Sequence, residues 1–225
     1  MKKPSNFKKI LDAFEEEWGF EKNFPEDLVF EEPLDNLVLT ILSQNTNDIN
    51  RDKAFKILRE QYPTWEETAL ASESDIAQRI KIAGLGNTKA SYIKQALNTV
   101  KDKFGEYSIK ELKKWDPKDV REFLVSLPGV GVKTAGIVMV FDLGMPSFPV
   151  DTHVARISRR LGWAEEKTTP EKIQLYLEAT LPEERFAGAH LNFLKQGRTI
   201  CSARNPKCGE CTVKKWCKFG KSLDV

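Results

Sequence analysis

Leu127 to Asp151 reads LPGVGVKTAGIVMVFDLGMPSFPVD, and the rest of the chain is legible as a frame for this stretch. It opens with the turn Leu127-Pro128-Gly129-Val130-Gly131. Two glycines around one apolar residue allow backbone angles that a Cβ forbids, and let main-chain amides approach another molecule closely. Val132, Ala135, Ile137, Val138, Met139 and Val140 then predict an apolar helix. Ahead of the turn, Asp116 is a predicted N-cap with Pro117 at the first helical position, and Val120, Phe123 and Leu124 share one face of a helix over 117–126. The local unit is therefore helix, Gly-h-Gly hairpin, helix. Amides at a helix start attract anions, a phosphate above all, although the same pattern also serves as a plain tight turn.

Lys133 stands two residues past Gly131, at the positive end of the helix dipole, where a cation is unfavourable. A lysine there has either a solvated head or a chemical task. After the apolar helix comes Phe148-Pro149-Val150-Asp151-Thr152-His153, and Asp151 precedes the periodic Val154, Ile157 and Leu161. That spacing predicts an N-cap, a sufficient structural reason for an aspartate at this position.

LPGVGVKTA followed at this distance by VDTH resembles the helix-hairpin-helix DNA glycosylases, most closely their endonuclease III branch. The resemblance covers the chain from the Leu34 helix to Cys217 and implies that Lys133 is a nucleophile and Asp151 its partner. It also implies DNA contacts by Gly129, Val130, Gly131 and His153.

Charge is unevenly spread. The net charge is only +2, yet Asp12 to Asp35 carries ten acids against one base, and Lys195 to Lys221 carries eight bases against one acid. The basic segment is a candidate phosphate-binding face, though most charge runs are solvated surface. No apolar run approaches the ~18 residues of a membrane span. Met1-Lys2-Lys3-Pro4 leads straight into an amphipathic segment without a signal-peptide core, so the expectation is a cytoplasmic protein without membrane association.

Phe7, Ile10, Leu11, Phe14 and Trp18 predict an amphipathic helix with an acidic outer face, followed by a connection around Phe24-Pro25. A second helical pattern, over 34–44, ends in the polar cluster Ser43-Gln44-Asn45-Thr46-Asn47-Asp48, in which Asn47 or Asp48 is positioned to cap the next helix, over 49–61. The resemblance makes this loop part of a base pocket, with Gln44 and Asn45 as pocket or wedge residues. The family commonly has a glutamine where Asn45 stands, a departure that opens the question of lesion preference. The pattern QN-x-x-D also resembles the equivalent loop of plant 5-methylcytosine glycosylases.

Thr64 and Glu67 have capping-box spacing before a short helix, and another short helix is expected over 74–80. Gly84-Leu85-Gly86 then repeats the Gly-h-Gly pattern before a helix carrying Ile93, Ala96, Leu97 and Val100. Leu85 is a core residue on one reading; the resemblance implies a residue inserted into the DNA stack. Helices are further expected over 109–114, 169–180 and 183–199, and no alternating pattern marks a strand. The fold class is all-α. The resemblance divides it into a six-helix domain over 29–145, holding the hairpin, and a discontinuous helical domain of 1–28 plus 146–225.

Cys201, Cys208, Cys211 and Cys217 are separated by six, two and five residues, close enough to enclose one metal centre. Spacing alone serves zinc and an iron–sulfur cluster equally well. Placed after the VDTH helix, C-x6-C-x2-C-x5-C resembles the [4Fe–4S] loop of endonuclease III. The resemblance implies a glycosylase with abasic-site lyase activity on double-stranded DNA containing a damaged base or abasic site. It also implies a monomer, expected to be associated with the nucleoid. The rivals are a monofunctional mismatch or adenine glycosylase, a non-catalytic damage-binding module, and a metal-dependent nuclease.

Overall fold

The helices begin where side chains can cap them. Asp116 accepts from Lys118 N at 2.9 Å, Asn47 from Asn50 N at 2.9 Å, and Thr64 and Glu67 close a reciprocal capping box. In the computed structural model, which describes residues 6–19 and 29–223, these caps open three of twelve α-helices. They are α1 (Phe7–Trp18), α2 (Pro33–Leu42), α3 (Asp48–Gln61), α4 (Trp65–Leu70), α5 (Glu73–Ile80) and α6 (Gly86–Phe104). There follow α7 (Pro117–Ser126), α8 (Val132–Phe141), α9 (Thr152–Leu161), α10 (Pro170–Thr180), α11 (Phe186–Thr199) and α12 (Lys218–Lys221). No strand occurs among the described residues, and none of the described helices is long and apolar enough to cross a membrane. The connection around Phe24-Pro25 lies outside the described residues.

Two of the expected helices take a tighter form. Lys110–Lys114 is a 3-10 helix, since Asp116-Pro117 allows only a few residues before the next cap. Glu183–Arg185 is a 3-10 turn that leads into α11 after Pro182.

The chain forms two compact units, Val29–Met145 and, discontinuously, Met1–Leu28 with Pro146–Val225. In the first unit, α2 and α8 pack together, with Leu34, Leu37, Val38, Ile41 and Leu42 buried on α2 and Ala135, Val138 and Met139 on α8. Burying such side chains supplies roughly 1.5–3 kcal/mol each before conformational entropy is counted. Phe123 of α7 closes an aromatic cluster, with ring centroids 5.9 Å from Trp115 and 5.5 Å from Phe104. Asp142, just past α8, accepts from Phe30 N at 3.1 Å and from Asn36 Nδ2 at 2.5 Å, tying the segment before α2 to the end of α8. Burial pushes its carboxyl up to about 6.

In the second unit, Ile10, Leu11 and Phe14 of α1 are buried, and Phe14 meets Phe193 of α11 edge-on at 5.4 Å. Phe148 packs against Phe186 at 5.7 Å and Phe193 at 6.1 Å. The acidic side of α1 has an internal use. Buried Arg185 pairs with Asp12 at 2.9 Å and Glu15 at 2.7 Å. Removing either partner of such a pair is costly, because it strands a buried charge.

Candidate active site and cluster loop

The hairpin is shaped by packing on one glycine and not on the other. Gly129 has φ +77, and a Cβ there would run into the Tyr92 ring, 2.7 Å from Cγ. Any other residue is excluded on both counts. Gly131 has φ −86 and a Cβ on it would meet nothing within 4 Å, so packing within the chain does not require a glycine there. Val130 turns inward to the core, and its N–H closes the turn on Leu127 O at 3.0 Å.

Lys133 is exposed in the first turn of α8, whereas Thr134, Ala135, Gly136 and the stretch from Val138 to Phe141 are buried. Its amine is open to solvent and to an approaching ligand alike.

Asp151 is half-buried and caps α9, its Oδ1 accepting from Val154 N at 2.8 Å. The second carboxylate oxygen is not part of the cap. The ring of His153 lies on α11 at Gly197, where a Cβ would approach the His153 Cγ to 2.9 Å. Arg156 Nη2 lies 3.0 Å from His153 Nδ1 and donates to Gly197 O at 2.9 Å. A guanidinium has no acceptor, so Nδ1 accepts and the ring proton of neutral His153 sits on Nε2.

The α2–α3 loop carries Gln44 and Asn45 in different roles. Gln44 is half-buried and its Nε2 donates to Gly129 O at 2.6 Å, so it ties the loop to the hairpin. Asn45 is exposed with φ +51. Leu85 is 55% exposed with φ +53, an uncommon state for a branched apolar residue. The core reading of Leu85 therefore fails, and its turn holds an apolar side chain out of the protein.

The four cysteines line one small cavity with Ile200, Phe219 and Gly220. Among the described residues, no group of three or more His, Cys, Asp or Glu side chains is arranged to hold a single metal ion. Zinc draws its sulfurs to ~2.3 Å from one point. Four cysteines on one cavity supply a complete donor set for a polynuclear cluster, whose irons spread over the cage. Burial pushes the Cys211 and Cys217 thiols up, and the neighbouring cysteines push in the same direction.

Donors to the sulfurs come from residues that sequence reading did not single out. Arg160 Nη1 lies 3.2 Å from Cys201 Sγ, Gln196 Nε2 lies 3.3 Å from Cys211 Sγ, and Gly220 N lies 3.3 Å from Cys217 Sγ. Trp18 Nε1 donates to Gln196 Oε1 at 3.0 Å, which fixes the amide orientation. Arg156 and Arg160, four apart on α9, both reach the Cys201 carbonyl, at 2.9 and 3.4 Å. Their i,i+4 spacing was the available signal. The loop also exposes Lys207, Lys215 and Lys218. Purified anaerobically, the protein is expected to contain iron and sulfide, with a visible charge-transfer band that Cys217→Ser removes along with thermal stability. Stoichiometric zinc without iron would refute the cluster.

Comparison with known proteins agrees with this geometry. Residues 38–183 match the model described as HhH-GPD superfamily base excision DNA repair protein, and residues 201–217 match the iron–sulfur binding domain of endonuclease III. An endonuclease III of Thermotoga maritima is 38% identical over 198 residues, covering 88% of each chain. One of Rickettsia felis is 35% identical, covering 90% of this chain and 92% of its own. The structure of a trapped endonuclease III–DNA covalent intermediate superimposes with a TM-score of 0.85 at 28% identity, covering 100% of both chains. Hairpin, helices and cysteine loop together identify the chain as a member of the HhH-GPD superfamily of base excision DNA repair proteins, in its endonuclease III family, with a [4Fe–4S] cluster as cofactor.

Proposed function

We propose that this protein is a bifunctional DNA glycosylase and abasic-site lyase, acting as a monomer on double-stranded DNA. It removes damaged pyrimidines and then cleaves the strand. The observation that carries the reading is Lys133, a single exposed amine on the first turn of an otherwise buried helix, directly behind the hairpin. A relative of the same fold has been trapped as a covalent DNA intermediate, which is the chemistry an amine in that place performs.

A base inside a duplex hides its sugar carbon, so the nucleotide is first flipped out. The amides of Gly129 and Gly131 grip a backbone phosphate without reading sequence, and the bare Cα of Gly131 leaves room for that approach. The Nε2–H of His153 supplies a further phosphate donor. Leu85 and Asn45 enter the gap left in the stack. Lys133 supplies the nucleophile through its free amine. Nζ attacks C1′, the bond from C1′ to the base breaks, and the base leaves with the electron pair and takes up a proton. Asp151 stabilises the positive charge on the sugar and assists the departure of the lysine proton. The C1′–O4′ bond then breaks as O4′ takes up a proton, which gives the Schiff base; this loses a C2′ proton, and the 3′ phosphate departs by β-elimination.

Oxidised pyrimidines are the first substrate class to test. Asn45 occupies the wedge position with a shorter side chain than the glutamine that relatives commonly carry, which favours mismatched or modified pyrimidines as a second class. A panel of duplexes, each with one defined lesion, is expected to show base loss and strand nicking that persist in EDTA. Binding to every duplex without base loss or nicking would leave a damage-binding module instead.

A further inference from the structure

Lys89 is 1% exposed, and its Nζ donates to two main-chain carbonyls, Leu42 O and Ala83 O, each at 2.8 Å. These are not arbitrary carbonyls. Leu42 is the last residue of α2, and Ala83 is the last of the 3-10 turn Lys81–Ala83. Both are helix-end acceptors without an intrahelical donor, and both lie where the helix dipole favours a cation. Two or three residues past each of them the backbone enters the left-handed region. Asn45 follows the first at φ +51, and Leu85 follows the second at φ +53. Among the described residues only one other non-glycine residue, Asn205, has a positive φ.

Lys89 thus joins the roots of the two strained loops that carry the exposed Asn45 and Leu85. Its side chain can do so from α6 because long helical side chains lean back toward the helix N-terminus, here the Leu85 turn. A third loop is tied to the same assembly by Gln44, which donates to Gly129 O of the hairpin at 2.6 Å. Gly86 closes the arrangement from the other side, since a Cβ on it would stand 2.8 Å from Ala77 O. Burial lowers the lysine pKa. Both bonds nevertheless survive deprotonation, because a neutral amine keeps two N–H groups. The link is therefore a fixed brace and not a pH-dependent one.

We propose that Lys89 is a positioning residue for base extrusion, bracing the Leu85 turn against the Asn45 loop so that both side chains enter the duplex as one rigid pair. The proposal rests on the glycosylase reading above. It predicts a division between the two halves of the reaction. Extruding a paired base needs both inserted residues in register. Cleavage at a sugar that has already lost its base needs them far less.

The test compares Lys89→Met with the unaltered protein in single-turnover assays, after thermal melts establish that each is folded at the assay temperature. One duplex carries an oxidised pyrimidine and the other a preformed abasic site. Lys89→Met is expected to slow base removal on the order of a hundredfold, the loss that a displacement of about 1 Å commonly brings. Cleavage at the abasic site is expected to be nearly unchanged. In a Leu85→Ala, Asn45→Ala background, Lys89→Met is expected to add little further loss, because residues acting through one another are non-additive. If Lys89→Met does not fold, Lys89→Gln, which keeps an NH₂ donor on a shorter side chain, is expected to show the same division at smaller amplitude. Equal losses on both duplexes, or full additivity in the Leu85→Ala, Asn45→Ala background, would overturn the proposal and leave Lys89 a purely structural pin. Failure of the unaltered protein to release any base would instead overturn the glycosylase reading itself.

Discussion

Lys133→Ala is expected to yield no protein–DNA adduct when borohydride is added during reaction with a lesion duplex, whereas the unaltered protein is trapped. Removing a nucleophile commonly costs on the order of 10⁴-fold or more in rate, and base removal is expected to fall in that range. The fold should not suffer. Lys133 is exposed in the first turn of α8, alanine is the best helix former, and the substitution removes a cation from the positive helix end. The melting temperature is accordingly expected to stay the same or rise slightly. Activity lost with stability kept separates a chemical role from a structural one. An undiminished adduct in this variant would assign the nucleophile to another amine.

Asp151→Asn is expected to slow base removal by about 10²–10⁴-fold, the usual range for a lost proton-transfer group. The substitution is informative because it preserves the other role of this residue. Asp151 Oδ1 caps α9 by accepting from Val154 N, and asparagine is as good an N-cap as aspartate. Stability and affinity for a duplex bearing an abasic analogue should therefore hold while the charge is gone. Asp151→Ala removes both, and is expected to cost roughly 1 kcal/mol of stability in addition. If Asp151→Asn keeps the full rate of base removal, the carboxylate serves the helix alone.

The helices were legible because their caps are local chemistry: Asn47, Thr64, Asp116, Asp151 and Thr169 each sit beside the amide they bind. Lys133 and the four cysteines were legible for a related reason. Each belongs to a short motif whose spacing is written in consecutive residues, and the comparisons then supplied the family. Residues whose meaning depends on partners distant in the chain were not legible. Lys89 looked like one more helix lysine, yet its acceptors lie 47 and 6 residues away. Asp142 gave no sign of burial, and nothing around Gln44, a pocket or wedge candidate, announced its bond to Gly129 O. Leu85 shows the intermediate case. Its glycine neighbours announced a turn, but only the three-dimensional backbone shows the side chain held outward.

The two ion pairs of Arg185 with α1 also bear on how the chain is made. Glu15 and Arg185 are 170 residues apart, and Phe14 finds its Phe193 neighbour still later. At roughly 5–20 residues per second of translation, the apolar face of α1 emerges from the ribosome roughly ten to forty seconds before the helix that covers it. Residues 29–145 can complete their own core during that wait. Helix α1 must remain unaggregated until α11 has been made, and the acids along its flank keep it hydrated and self-repelling during that interval.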